Sequence, residues 1–461
     1  MTTTEHYDLV ILGSGSGNSV PDEDLADWRI AMVEPGRFGG TCLNRGCIPS
    51  KMFVYAADVA LKVRNAGTYG VDAELRGADW DAIRDRVFGR IDPIADGGKA
   101  YRSGLPNTDL YEEEARFVGE RELQVGDTRI TADRIVLAAG SRPSIPDVDG
   151  VHDVPHVTSD TVMRLPEQPE RLVIVGGGFI GVEMGHVFDA LGTEVTIVTR
   201  GDNLLTHEDD EVAAATTAAY RARGITVHTN ATVERFEGTG DDPVVCHATV
   251  DGERVRVTAD LLLLATGRVA NSDTLDLAAG GIEVGIDGRP VVDDCQRTNV
   301  DGVWSLGDLS SPHWLKHVAN AEARAVAHNI RNPDDQQPTH LPNVPSAVFG
   351  NPQVASAGVR ERDLVAAGAE YLVSRRDYGS TAYGWAMEDT TSFVKVLVDP
   401  ATRLLLGVHG IGPDVSLVLQ PLFQAMALGT TVDEVAHGVV YPHPALSEVV
   451  ENVVLDVPSS T

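Results

Sequence analysis

Twice along the chain a short apolar run ends in a glycine-rich turn, and these two turns limit what the molecule can fold into. Tyr7 to Leu12 leads into Gly13-Ser-Gly15-Ser-Gly17-Asn18, and Arg171 to Val175 leads into Gly176-Gly-Gly178-Phe-Ile-Gly181. A turn of this kind lets the backbone approach a pyrophosphate, and the start of the following helix offers its positive end to the phosphate charge. The strand after the first turn, Arg29 to Val33, closes on Glu34, 21 positions beyond Gly13, where a carboxylate can bond ribose hydroxyls. After the second turn come a helix from Val182 to Leu191 and a strand from Glu194 to Val198, which closes on Thr199-Arg200 instead. No carboxylate repels a 2′-phosphate there and a guanidinium can pair with one, which favours NADPH over NADH. The alternative is an Arg200 that points into solvent. Asn18 replaces the last fingerprint glycine and weakens the first motif taken alone.

Three further strands end in similar fashion. Ile135 to Ala139 runs into Gly140-Ser-Arg142, Leu261 to Ala265 into Thr266-Gly267-Arg268, and Val303 to Leu306 into Gly307-Asp308. Beside two nucleotide units they suggest FAD in the first, with Asp308 reaching its sugar-like ribityl chain.

Residues 39 to 52 read Gly-Gly-Thr-Cys-Leu-Asn-Arg-Gly-Cys-Ile-Pro-Ser-Lys-Met, just before a helical run from Met52 to Val63. In a regular helix Cys42 and Cys47 would sit about 140° apart around the axis, with Cα atoms beyond the roughly 7 Å limit for a disulfide. The backbone must therefore bend. Gly39, Gly40 and Gly46 supply freedom in φ, and Pro49 can open the helix. A thiol at that helix start feels the positive end of the dipole, which lowers its pKa. Two buried structural cysteines, or half of a zinc site, are the competing readings. Zinc needs four ligands at short paired spacings, and Cys246 and Cys295 stand alone, so a redox pair and no metal is the expectation.

Near the end stands His443-Pro-Ala-Leu-Ser-Glu448. A histidine whose second nitrogen meets a carboxylate is oriented and made more basic, and thiol exchange needs such an acid for the leaving sulfur. Glu448 can curl back to His443 if a helix begins at Pro444. Taken alone, the histidine reads equally well as a capping or core residue.

Composition narrows the class. The 461 residues carry a net charge of -31 and only five lysines, Lys51, Lys62, Lys99, Lys316 and Lys395. Nucleic-acid binding needs clustered cations, so it is not expected. An acidic, lysine-poor surface suits a salt-rich cytoplasm, although a GC-rich genome produces a similar bias. No run of eighteen apolar residues occurs, and MTTTEHYDLVILG enters a strand without a signal-peptide pattern. A soluble cytoplasmic protein with no membrane partner is the expectation.

These pieces, in this order, resemble the class I pyridine nucleotide-disulfide oxidoreductases across essentially the whole chain, on GGTCLNRGCIPSK and HPALSE above all. Within the family the chain is most similar to the mycothione reductase branch. That finer likeness rests on Lys51-Met-Phe-Val-Tyr-Ala-Ala57, Phe88-Gly-Arg-Ile-Asp-Pro-Ile-Ala95, Leu315-Lys-His-Val-Ala-Asn320 and Tyr383-Gly-Trp-Ala-Met-Glu-Asp-Thr390. The resemblance implies an α/β fold with two Rossmann-like dinucleotide-binding domains plus a C-terminal α+β dimerisation domain. An FAD-binding domain (1–150 and 266–335) would be interrupted by an NADPH-binding domain (151–265) and followed by the interface domain (336–461).

The resemblance also implies roles. Cys42 would attack the substrate disulfide and Cys47 would contact the flavin. Lys51 and Glu183 would assist hydride transfer beside the flavin ring, and Phe179 would gate the nicotinamide pocket. His443 and Glu448 would serve the disulfide of the second subunit, which makes the homodimer necessary for activity. The cofactor-contacting set is Gly13, Gly15, Glu34, Gly40, Thr41, Lys51, Gly140, Arg142, Gly176, Gly178, Phe179, Gly181, Arg200, Gly267 and Asp308. The small-molecule substrate would be mycothione, with bis-γ-glutamylcystine and a role as an NAD-linked dihydrolipoamide dehydrogenase as alternatives. Thr206 stands where glutathione reductase has a second phosphate-binding arginine, and no cysteine follows Cys295, so a C-terminal redox pair is absent.

Overall fold

A computed structural model describes residues 4–240 and 242–459; Met1 to Thr3 of the N-terminal stretch discussed above lie outside it. The chain forms two compact units, one from Met1–Met52, Asp81–Ser144 and Arg268–Leu341, the other from Phe53–Trp80, Ile145–Gly267 and Pro342–Thr461.

The first unit is built on a seven-stranded sheet. Its strands β1 (Thr4–Leu12), β2 (Ile30–Val33), β3 (Thr108–Tyr111), β4 (Ala115–Gly119), β5 (Glu122–Val125) and β6 (Thr128–Leu137) lie in the order β3-β2-β1-β6-β5-β4, and Val303–Ser305 also pairs with β6. The pairs from β3 through β6, and that with Val303–Ser305, are parallel, whereas β6, β5 and β4 are antiparallel. Alternate residues of β1 and β2 enter two different cores. Leu9, Ile11, Ile30 and Met32 pack with Ala323 and Val326 of the helix Lys316–Asn329, while Val10, Leu12, Ala31 and Val33 pack on the other face. A parallel sheet covered on both faces needs unbroken apolar strands, and the sequence supplies them here.

Three helices follow in the chain: α1 (Gly40–Asn44), α2 (Cys47–Arg64) and α3 (Trp80–Ser103). Two features differ from expectation. The helix anticipated after the first glycine turn does not form; Gly17–Ser19 and Glu23–Leu25 are single 3-10 turns. Pro21, which has no N–H to donate, stands between them. Arg102 in the last turn of α3 holds the segment, donating to Asn18 Oδ1 (2.7 Å), Asn18 O (2.7 Å) and Pro21 O (3.1 Å). The second difference is that α2 begins at Cys47 rather than Met52, so Pro49 is its third residue. First-turn N–H groups have no partner inside the helix, and the proline is tolerated there.

The second unit contains a parallel sheet in the order Thr226–His228, Glu194–Val198, Arg171–Val175, Leu261–Leu264, His156–Thr158. Helix α4 (Phe179–Leu191) leaves its second glycine turn, and α5 (Asp210–Ala222) follows. An antiparallel sheet of Ala231–Glu237, Val244–Val250 and Glu253–Ala259 shares its core, with Cys246 packed among Val173, Val175, Val198 and Leu262. The C-terminal part is a five-stranded antiparallel sheet, Ser346–Val348, Gln353–Gly358, Leu405–Gly412, Phe393–Val398 and Leu372–Asp377 in that order. It is backed by helical residues that include Leu419, Leu422, Val432, Val449 and Val453. Buried Lys395 joins this sheet to the start of α5, with its ammonium 3.1 Å from Asp209, 2.7 Å from Glu211 and 2.5 Å from Glu361. The architecture is the expected α/β type, with two parallel-sheet nucleotide units and a C-terminal α+β region.

Candidate active site

In the first unit the redox segment is bent by backbone that side chains would forbid. Gly39 (φ +101°) and Gly40 (φ +68°) are left-handed, and a Cβ on Gly40 would lie 2.6 Å from Gly15 Cα. Gly46 acts differently from the expected freedom in φ: it is not left-handed, but a Cβ there would press on Thr41 O at 3.0 Å and Cys42 Cα at 3.3 Å. Asn44, 4 % exposed, clamps the bend by donating from Nδ2 to Phe38 O (2.9 Å) and Gly40 O (3.0 Å). Cys42 in α1 and Cys47 at the head of α2 are both free thiols, the former half-buried and the latter exposed.

The thiol electrostatics correct one expectation. The residue at the helix start is Cys47, and Cys42 is not lowered. A hydrogen bond to Cys47 and then burial push the Cys42 thiol well above the ordinary range, with Lys316 pulling the other way. Two neighbouring thiols titrate as a pair. Once the pair has lost one proton, the other is held, and releasing it from Cys42 requires a base.

The first glycine turn fits a dinucleotide. Gly13 is left-handed (φ +106°), and a Cβ would fall 2.2 Å from Ala138 O. Glu34 is oriented in advance: Oε2 accepts from Ser14 N (2.9 Å) and Ser14 Oγ (2.7 Å), and Oε1 from Gly36 N (3.0 Å). Ser14 Oγ in turn accepts from Gly39 N at 2.8 Å, so one buried serine couples the Glu34 carboxylate to the bend that carries the cysteines. Asp308 accepts from Ser141 Oγ at 2.7 Å. Gly140 (φ +68°) has open space where a Cβ would go. Arg142 is committed to Asp273 through two bonds of 2.8 and 2.6 Å, and so braces the short strands Ser141–Pro143 and Arg268–Ala270. Thr41 lies in α1 beside Gly40, and Lys51 in the first turns of α2 donates to Ser50 Oγ at 3.1 Å.

In the second unit Gly176 is left-handed (φ +122°), and a Cβ would fall 2.1 Å from Ala265 O. A Cβ on Gly181 would fall 2.0 Å from Gly176 O, so helix and turn approach as closely as backbone allows. Gly178 caps α4 with no side-chain bond to its first N–H groups, which suits an anion, and Phe179 beside it is exposed. Gly267 (φ +109°) leaves open space after the neighbouring strand. Arg200 is exposed just past Glu194–Val198 and has no hydrogen bond or ion pair among the described residues. Glu183 is buried on α4, where it accepts from Phe349 N at 3.0 Å.

At the chain end His443 and Glu448 do meet. Nδ1 of His443 lies 2.7 Å from Glu448 Oε1, and Ala445 N donates to Oε2 at 3.2 Å. The helix begins at Glu448, not at Pro444, and residues 443 to 447 form the turn that brings the pair together. The bond to His443 holds the Glu448 carboxyl below its usual range. A carboxylate accepts only, so Nδ1 carries the hydrogen and Nε2 is left as the nitrogen able to accept a proton.

Known proteins agree with this geometry. Residues 7–325 match the family model described as pyridine nucleotide-disulphide oxidoreductase, and residues 344–454 match that family's dimerisation domain. The chain is 48 % identical to mycothione reductase of Mycobacterium tuberculosis H37Rv, over 98 % of this chain and 99 % of that protein. It is 31 % identical to dihydrolipoyl dehydrogenase of Halobacterium salinarum, covering 96 % of this chain and 94 % of that one. Among solved structures, the HOCl-induced flavoprotein disulfide reductase RclA from Escherichia coli matches with a TM-score of 0.85 at 26 % identity, covering 98 % of this chain and 100 % of that one. No helix among the described residues is long and apolar enough to cross a membrane. With both parts of the family signature present, the chain belongs to the pyridine nucleotide-disulphide oxidoreductases and is a flavoprotein disulfide reductase that works with FAD and a pyridine nucleotide.

Proposed function

We propose that this enzyme uses NADPH to reduce a low-molecular-weight disulfide, mycothione, and that it does so in the cytoplasm as a homodimer. The observation that carries this reading is the full-length likeness to mycothione reductase. In this reading the domain division is FAD (1–150 and 266–335), NADPH (151–265) and interface (336–461).

FAD, when bound, supplies a two-electron relay between the nicotinamide and the cysteine pair. Gly13, Gly15 and Glu34 would hold its adenosine end and Asp308 its ribityl chain. Arg200 would hold the 2′-phosphate of NADPH, and Phe179 would cover the nicotinamide pocket. Neutral His443, supplied by the second subunit and oriented by its Glu448, takes the proton that Cys42 does not release by itself. The Cys42 thiolate attacks one sulfur of the substrate, a mixed disulfide forms, and the first thiol departs with the proton now on His443. Cys47, as the thiolate, then attacks Cys42 Sγ, and the second sulfur leaves and takes a proton from solvent as the Cys42-Cys47 disulfide closes. One substrate disulfide, one cysteine thiol, one cysteine thiolate and one solvent proton thus yield two small thiols and one protein disulfide.

The net charge of -31 supports a second reading, bis-γ-glutamylcystine reduction in a salt-rich cytoplasm. A steady-state panel tests both, with NADPH and NADH against mycothione, bis-γ-glutamylcystine, glutathione disulfide and lipoamide. The expected result is a kcat/KM for mycothione with NADPH at least about 100-fold above every other pair. Dominance of another disulfide overturns the assignment.

A further inference from the structure

The lysines of this chain are few, and their surroundings differ sharply. Lys395 is enclosed by three carboxylates, and Lys99 lies 2.6 Å from Glu112. Lys316 has no carboxylate partner among the described residues. It is the first residue of the helix Lys316–Asn329, an end at which the helix dipole opposes a cation, and the first turn offers no acidic side chain. Its half-buried ammonium donates instead to Ser16 Oγ at 2.8 Å. Ser16 is part of the first glycine turn, whose Gly15 abuts Gly40, and Gly40 opens the short helix that carries Cys42. The ammonium is close enough to Cys42 for its charge to favour the thiolate. A half-buried cation without a counter-charge, at the wrong end of a helix, is costly unless an anion faces it at some stage of the cycle.

We propose that Lys316 is a charge-stabilising residue of the redox centre, whose ammonium offsets the negative charge left on the Cys42/Cys47 pair when that pair is reduced. The inference rests on the reading of these two cysteines as the electron-accepting disulfide. In that step the hydride of NADPH contributes two electrons and one proton; the S–S bond breaks, one S–H bond forms, and one thiolate remains. Other ionisable groups on the elements that carry the pair and Lys316 are Arg45 after α1, Lys51, Tyr55, Asp58, Lys62 and Arg64 on α2, His317, Glu322, Arg324 and His328 on the helix Lys316–Asn329, and Asp308 in the turn ahead of it. Burial pushes the Glu322 carboxyl up, and its acceptor role toward Gly307 N (2.7 Å) is already filled.

The test uses the purified flavoprotein, reduced with dithiothreitol and freed of reductant. Alkylation of the Cys42/Cys47 pair by iodoacetamide is followed by peptide mass at both positions from pH 5 to 10 in the parent enzyme and in Lys316→Met, Lys316→Arg and Ser16→Ala. Loss of the charge in Lys316→Met should slow alkylation about tenfold near pH 6.5 and move the midpoint of the profile upward. Lys316→Arg should restore the profile. Ser16→Ala, which removes the hydrogen bond and keeps the charge, should change the rate less than about threefold. In a glutathione redox buffer Lys316→Met should shift the pair about tenfold toward the disulfide, or about 30 mV. A Lys316→Met profile that overlays the parent overturns the proposal, as does a loss reproduced by Ser16→Ala and not rescued by arginine. If Lys316→Met fails to fold, Lys316→Gln takes its place in the same comparison. A parent enzyme whose Cys42 and Cys47 do not become thiols on addition of NADPH sinks the underlying redox reading, a result distinct from an unmoved profile.

Discussion

At Gly13 and at Gly176 the backbone takes up the same strained geometry, with φ of +106° and +122° and the Cβ position blocked by Ala138 O at 2.2 Å and Ala265 O at 2.1 Å. Beyond that point the two turns diverge. After Gly13 the chain makes only 3-10 turns before the next strand, and Glu34 already accepts three hydrogen bonds from Ser14 and Gly36. After Gly176 the 13-residue helix α4 starts at an uncapped glycine, and Arg200 is left to itself among the described residues. On the function proposed above, this separates a cofactor that stays from one that binds and leaves in every cycle. Polar groups oriented by the protein reduce the ordering cost of holding a resident ligand. Groups that keep their bonding capacity can be satisfied and released repeatedly.

The contrast can be broken most severely at the turns themselves. Gly13→Val and Gly176→Val each force a side chain into left-handed backbone, at about 1–3 kcal/mol before any clash is counted. The expected outcomes differ: Gly13→Val should purify without flavin, seen as loss of absorbance near 450 nm, whereas Gly176→Val should keep its flavin and fail to reduce it with NADPH. Equal flavin loss in both variants would erase the distinction. A smaller effect is expected for Arg200→Gln. A charge-assisted bond to phosphate of about 1.5–3 kcal/mol predicts a KM for NADPH raised about 10- to 100-fold, with NADH little affected; steady-state titration with both nucleotides checks this.

The smallest expected effect concerns pH, and it belongs to the second unit. Burial pushes the Cys246 thiol up to about 12. Because the folded value lies above the unfolded one, the contribution of this group to stability is complete below about pH 8.5 and is lost as pH rises toward the folded value. Between pH 8 and 9.5 the loss should reach about 1 kcal/mol. Thermal melts over that range should show a decline that Cys246→Ala flattens; an equal decline in both proteins would assign the alkaline sensitivity elsewhere.

What the sequence made legible was local. The Cys42 and Cys47 bend, the glycine turns and the reach from His443 to Glu448 all depend on residues within a few positions of one another, where the chemistry of a side chain dictates the backbone directly. What escaped depends on distance along the chain. Ser14 meets Gly39 25 positions away, Arg102 meets Asn18 84 away, and Lys316 meets Ser16 300 away. No periodicity links such positions; only the sheet and helix packing does. The direction of the Cys42 shift escaped for a related reason, since the closeness of the second thiol and burial outweigh the helix dipole that the sequence suggested.

The grip of Arg102 on Asn18 has a bearing on how this branch of the family can change. Three donor bonds from one half-buried guanidinium replace the helix that a glycine at that position would normally begin. The dependence is unequal: glycine at position 18 would cost Arg102 its side-chain acceptor but leave its bonds to Asn18 O and Pro21 O, whereas loss of Arg102 would remove all three ties and leave the segment only its own turn hydrogen bonds. The two positions are therefore expected to vary together in descent, so that the pair, read in an unfamiliar sequence, announces a glycine turn followed by 3-10 turns in place of a helix.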